Sequence, residues 1–276
     1  MKNVTSITPS NFIFVALACE AKPLIQAWRL KKLPKKQVFT IYRNAETVVV
    51  VTGIGKIAMA AAVAYTMAQF ADVMQPIMLN LGIAGHPHQA VGSCFLADKI
   101  IDAETQRRFY PQLPFELPCR TLPLKTLSKA DIAYTGDNLS DMEASAFYEI
   151  AAKFSTGELI QSLKVVSDNK QSSLADINQD LVAGWITAEL TTIEKLVSAL
   201  TKLRGILPAP NTDLYQTLLN RIHFTASNAV KLQTLLSRWH LLKPDAAIDL
   251  ESIGEKNGKA LIAWLEEQLE TVEFYL

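Results

Sequence analysis

Residues 12–18 read Phe-Ile-Phe-Val-Ala-Leu-Ala, an apolar run with no polar position in it. A run of that length predicts a strand covered on both faces, as in helix-covered parallel sheets. From Glu20 to Leu30 the apolar positions Leu24, Ile25 and Trp28 follow helical spacing, and Val38–Arg43 and Thr47–Val51 then predict a strand pair turning near Asn44. Lys56–Phe70 is alanine-rich, which lets a helix lie close against a sheet, and Gly53 and Gly55 precede it. Ile77–Leu81 predicts another buried strand ending at Gly82-Ile83-Ala84-Gly85, and Val91–Ile101 follows with small and apolar residues. Four prolines between Pro111 and Pro123 predict a loop. A helix over Asp141–Phe154, a short strand over Leu163–Val166 stopped at Ser167-Asp168, and an amphipathic helix over Ala175–Leu203, broken or bent near Gly184, complete this part.

Such alternation of strand and helix patterns predicts an α/β fold with a largely parallel sheet. Pro208-Ala209-Pro210 marks a boundary between residues 1–207 and a C-terminal extension, 211–276, with helices over Ser227–His240 and Lys256–Phe274 and no strand signal. There is no internal repeat.

Of the 276 residues, 49% are hydrophobic and 20% charged, the balance of a folded globular protein. Lys plus Arg and Asp plus Glu number 27 each, so no global field draws the chain to nucleic acid or an anionic membrane. The basic run Arg29, Lys31, Lys32, Lys35, Lys36 around Pro34 predicts a solvated turn. Cys19, Cys94 and Cys119 form no C-x-x-C pair and fit a reducing compartment. The apolar run before Cys19 follows only one positive charge, Lys2, and reads as a first strand and not as an export signal. No stretch approaches the roughly 20 apolar residues that span a bilayer. A cytoplasmic protein is expected.

Four segments carry more specific information: Ala16-Leu17-Ala18-Cys19-Glu20-Ala21-Lys22-Pro23-Leu24, Thr52-Gly53-Ile54-Gly55-Lys56, Asn80-Leu81-Gly82-Ile83-Ala84-Gly85 and Asp141-Met142-Glu143-Ala144-Ser145-Ala146, with Ser167-Asp168 closing the series. In this order, from residue 12 to about 203, they resemble the nucleoside phosphorylase superfamily. The likeness is to its nucleosidase branch, which includes methylthioadenosine/S-adenosylhomocysteine nucleosidase and futalosine hydrolase. The resemblance implies a three-layer αβα phosphorylase-like fold with a mixed central sheet, to which the C-terminal helices are added.

The resemblance also implies roles. Glu20 would activate the attacking water, which suits a bond that breaks through a cation resembling an oxocarbenium ion. Asp168, protonated when it acts, would assist departure of a purine base, and Ser167 would orient it. Glu143 would accept hydrogen bonds from the ribose 2′ and 3′ hydroxyls, and Met142 would pack on the sugar face. Gly53, Gly55, Gly82 and Gly85 would bring backbone close to the substrate, with Ile83 and Ala84 in the same binding segment. Without the resemblance, Glu20 reads as a helix-start carboxylate, Asp168 as a helix cap and Glu143 as an exposed helix glutamate. The partner implied is a small-molecule nucleoside, with phosphate as co-substrate if the enzyme is a phosphorylase. No cofactor and no metal are implied. Relatives self-associate, so a homo-oligomer is expected, with a dimer favoured.

Two departures qualify this picture. Ile83 stands where many relatives place Ser or Thr, and no arginine adjoins the glycine segments to clamp phosphate, which favours hydrolysis over phosphorolysis. Arg107 and Arg108 are the nearest substitutes. Thr135-Gly136-Asp137 resembles the strand end before a base-binding loop, yet Asp141-Met142-Glu143 follows almost at once, so most of that loop is missing. A non-catalytic nucleoside sensor therefore stands as an alternative. His86 and His88 form an H-x-H pair without an accompanying acidic or cysteine cluster and read as a substrate-contacting or surface loop. Arg221, His223, Arg238 and His240 read as snorkelling surface residues.

Overall fold

A computed structural model describes residues 9–34, 37–131, 133–134, 136–207, 212–242, 248 and 257–270. Lys35, Lys36, Thr135, Pro208-Ala209-Pro210, Lys256 and residues 271–274, all used in the sequence reading, lie outside the described residues. The chain divides into two compact units, residues 1–205 and 206–276.

The first unit runs β1 (Asn11–Val15), α1 (Ala18–Ala27), β2 (Lys31–Lys32), β3 (Thr40–Arg43), β4 (Thr47–Val51), α2 (Lys56–Gln69), β5 (Ile77–Gly85), β6 (Cys94–Asp102), β7 (Arg108–Phe109) and β8 (Thr121–Thr126). It continues with β9 (Leu139–Asp141), α3 (Ala144–Ala151), β10 (Ile160–Asp168), α4 (Gln179–Ala188) and α5 (Leu190–Ile206). All ten strands join one mixed sheet. The fully buried β1 lies between β4 and β5, parallel to both, with Phe14 opposite Val50 on one side and Asn80 on the other. β10 runs parallel to β5 and antiparallel to β6, β8 parallel to β6, and β9 parallel to β8. β9 then returns to β5 where Ser140 meets Gly85, so β5, β10, β6, β8 and β9 form a closed circuit. This closure brings the ends of β5, β9 and β10 to one place, the strand-end edge where α/β proteins build ligand sites.

Helices cover both faces. On one, α2 and α3 pack through Met59, Ala62, Val63 and Phe147 onto Phe12, Phe14, Val48, Val50 and Met78. Each of these large apolar side chains contributes about 1.5–3 kcal/mol by leaving water. On the other face α1 lies against β1, β4, β5 and α4, and α4 against β10. The α-β-α layering and the mixed sheet are as expected.

Several expectations are corrected. The strand expected over Ile77–Leu81 runs on through Gly82–Gly85, and Ser167 and Asp168 are the last residues of a nine-residue strand and not a stop after it. The proline segment contains β8; its Pro123 sits where the β6 register skips from Ala97 to Lys99, a bulge that tolerates a missing N–H donor. Asp141 ends β9, so α3 starts only at Ala144 and Glu143 is its N-cap, not an exposed helix residue. The long amphipathic helix is two helices separated at Glu189, where the α4 backbone caps itself, and is unbroken at Gly184. Lys31 and Lys32 form a short exposed strand where a turn was expected.

Among the described residues the second unit is helical: α6 (Thr212–Arg221), α7 (Ala226–Leu242) and α8 (Gly258–Glu270). They share a core of Leu218, Leu232, Leu235, Leu236, Leu261, Ile262, Leu265 and Leu269, with Trp239 and Trp264 rings 5.4 Å apart. No described helix is long and apolar enough to cross a membrane.

Candidate active site

A cavity of about 360 Å³ opens at the strand-end edge of the first unit, lined among others by Ala16, Leu17, Glu20, Ile83, Ala84, Gly85, Asp131, Met142, Glu143, Ser167 and Asp168.

Glu20 reaches it because α1 begins directly after β1. From the first turn its side chain folds back, Oε2 accepting the Leu17 N–H at 2.8 Å and Oε1 the Ile83 N–H at 3.0 Å, which ties the helix start to β5. The carboxyl is buried, and burial raises its pKa, an effect opposed by its backbone donors and by the charge of Lys164. Its position depends on Gly82: a Cβ there would lie 2.8 Å from Oε1.

Glu143 comes from the β9–α3 junction. Oε1 accepts the Gly55 N–H at 2.7 Å, Gly55 having φ near +98°, a conformation that favours glycine. Burial and the neighbouring Asp141 push the Glu143 carboxyl up to about 7. Asp141 itself accepts from Thr126 Oγ1 at 2.7 Å and the Ala144 N–H at 2.9 Å, and its Oδ2 lies 2.9 Å from Nζ of Lys164. Lys164, on β10, is fully buried, and Asp141, Glu143 and Glu20 together hold its ammonium charged against desolvation. One cation thus faces three carboxyl groups, and burial pushes Glu20 and Glu143 toward their neutral forms.

Asp168 ends β10 on the opposite wall. Oδ1 accepts from the Ser167 hydroxyl and Oδ2 from the Tyr134 hydroxyl at 2.7 Å. A Cβ at Gly85 would lie 2.7 Å from Oδ2, so Gly85, like Gly82, makes room for a carboxylate. Tyr134 has φ near +48°, and its N–H is held by Asp131 Oδ1 at 3.1 Å. Burial, followed by the bond to Asp168, raises the phenol's pKa.

Glu20, Ile83, Ala84, Gly85, Met142, Glu143, Ser167 and Asp168 therefore meet at one cavity. Gly53 and Gly55 are outside its lining; Gly55 acts on it through Glu143. Sequence reasoning missed Lys164, Asp141, Asp131 and Tyr134. Asp141 stood in the segment Asp141-Met142-Glu143 without a role of its own, and Lys164 left a signal as a lysine inside the apolar run Leu163-Lys164-Val165-Val166. His86 is buried and not on a surface loop; its Nδ1 accepts the His88 and Gln89 N–H groups, both at 3.0 Å, which puts the ring proton on Nε2. No group of three metal-ligating side chains occurs among the described residues.

No protein-family model matches the chain, and no curated protein matches it. Solved structures do. A Helicobacter pylori 5′-methylthioadenosine/S-adenosylhomocysteine nucleosidase is 12% identical over 69% of this chain and 98% of its own, with a TM-score of 0.53. A 5′-methylthioadenosine nucleosidase from Arabidopsis thaliana is 16% identical over 71% and 96%, with a TM-score of 0.53. The futalosine hydrolase of Helicobacter pylori is 14% identical over 69% and 98%, with a TM-score of 0.52. The layered mixed sheet of this chain has the fold of these nucleosidases and of the futalosine hydrolase, with further helices toward its C-terminus.

Proposed function

We propose that the protein hydrolyses the N-glycosidic bond of a purine-type nucleoside. The observation that carries the reading is the convergence of Glu20, Glu143 and Asp168, distant in sequence, on one cavity of nucleoside size. Glu143 accepts the ribose hydroxyls while Met142 packs beside the ring. As the bond to the base lengthens, positive charge grows on the sugar, and the surrounding carboxyl groups stabilise it. Glu20, anchored by two backbone amides, takes the proton of the attacking water. Asp168 delivers a proton to the leaving base, with Ser167 fixing its orientation. Lys164 keeps the carboxyl cluster from carrying three uncompensated charges.

A Helicobacter pylori relative in fold has been solved with 5′-methylthioadenosine in its active site, which supports a nucleoside as the class of ligand. Among the described residues no arginine lines the cavity, which favours water over phosphate as the nucleophile. One observation favours a second reading, a nucleoside sensor without turnover: both oxygens of Asp168 are engaged by the protein's own hydroxyls. Incubation with a panel of purine nucleosides, with and without phosphate, separates the cases. Free ribose supports hydrolysis, ribose 1-phosphate means phosphorolysis, and binding without product means a sensor.

A further inference from the structure

We propose that the hydroxyl of Tyr134 caps the carboxylate of Asp168 in the empty protein, and that a purine binds by displacing that hydroxyl with uptake of a proton. This rests on the nucleosidase reading and concerns the half of the site that the shortened 131–138 segment leaves without a base-binding loop.

The hydroxyl of Tyr134 lies 2.7 Å from Oδ2 of Asp168, and Ser167 holds Oδ1, so each oxygen of the acid already accepts a hydrogen bond from the protein's own hydroxyls. Tyr134 is held there by its own loop. Asp131 Oδ1 accepts the Ala133 and Tyr134 N–H groups, Oδ2 accepts from Ser140 Oγ at 3.2 Å, and Tyr134 takes a left-handed backbone conformation. Asp131 and Asp168 line the same cavity, and the phenol ties the segment that carries Asp131 to the acid.

The exchange has a chemical requirement. A phenol O–H donates to Asp168, whereas an unprotonated purine ring nitrogen is an acceptor. Replacing the first by the second leaves two acceptors facing each other unless Oδ2 gains a hydrogen. Purine binding therefore takes one proton from solvent onto Asp168, the same proton that the departing base needs. The groups around this site are Ser167 on β10, Tyr134 and Asp131 on their segment, and buried His86 after β5, whose N–H donates to the Asp168 carbonyl. Glu20, Asp141, Glu143 and Lys164 form the facing cluster. The consequence is selection: a ligand must offer an acceptor at Oδ2 that competes with a tyrosine tethered in place.

Calorimetric titration with 9-methyladenine, which like a nucleoside carries no imidazole N–H, in buffers of different ionisation enthalpy, of wild type, Tyr134→Phe and Asp168→Asn tests this, alongside nucleoside kinetics. Wild type should take up about one proton per 9-methyladenine bound, and Asp168→Asn none. Tyr134→Phe should bind it about tenfold more tightly, the worth of one hydrogen bond to a charged group, and its gain in kcat/KM should lie in KM. Equal or weaker 9-methyladenine binding by Tyr134→Phe, or uptake unchanged in Asp168→Asn, overturns the proposal while the nucleosidase reading stands. A large fall in kcat at unchanged affinity makes Tyr134 a proton relay and also overturns it. If wild type neither binds 9-methyladenine nor cleaves any purine nucleoside, the nucleosidase reading falls and takes this proposal with it.

Discussion

Glu143 lets the electrostatics of the site be tested through stability alone. Its carboxyl is pushed up to about 7, chiefly by burial and next by Asp141, against an ordinary value of 4.5. An acid whose pKa is higher folded than unfolded holds more protons in the native state between those two values, so stability is complete below about 4.5 and declines as pH rises through about 7. At 1.36 kcal/mol per unit, the loss on full ionisation is on the order of 3 kcal/mol. Glu143→Gln keeps an acceptor for the Gly55 N–H but cannot ionise. Thermal midpoints of wild type and variant, followed by circular dichroism from pH 4 to 8, should diverge: wild type falls relative to the variant as pH rises, with most of the change between about pH 4.5 and 7. Ribose affinity should move the other way, because the ionised form is the better acceptor of two hydroxyls. If the midpoints of the two proteins stay parallel across this range, the description of the buried cluster is wrong.

Three further outcomes are expected. Asp168→Asn should lower turnover by at least about a hundredfold while changing ligand affinity much less, as steady-state kinetics and direct binding would show; equal activity removes Asp168 from the mechanism. Lys164→Met should destabilise the fold by about 3–5 kcal/mol, because it leaves Asp141 buried without its ion-pair partner, and urea titration near neutral pH measures this. Gly82→Ala places a methyl 2.8 Å from Glu20 Oε1 and should cost about 1–3 kcal/mol and most of the activity, whereas an unchanged melting temperature would show that Glu20 can move freely.

The strands were legible because the sheet is covered on both faces, so β1, β4 and β5 had to be nearly continuous apolar runs. Boundaries failed where residues serve the site and not the element. Gly82 and Gly85 look like loop residues but are strand positions emptied to admit Glu20 and Asp168, and Asp141 looks like a helix start but closes β9. Glu20, Glu143 and Asp168 could be picked out because each sits in a short local pattern. Lys164 showed only as a charge inside an apolar run, and Asp131 and Tyr134 not at all, since their meaning comes from partners 23, 9 and 34 residues away that only the folded sheet brings near.

The strand circuit also bears on how the molecule meets its own kind at high concentration. Among the described residues, only β2 and β7 have a single neighbour in the sheet; each is two residues long, and they carry Lys31, Lys32 and Arg108. A strand from another copy seeking free amides and carbonyls would find two short, cationic ledges, an arrangement that discourages fibril-like stacking during synthesis and storage.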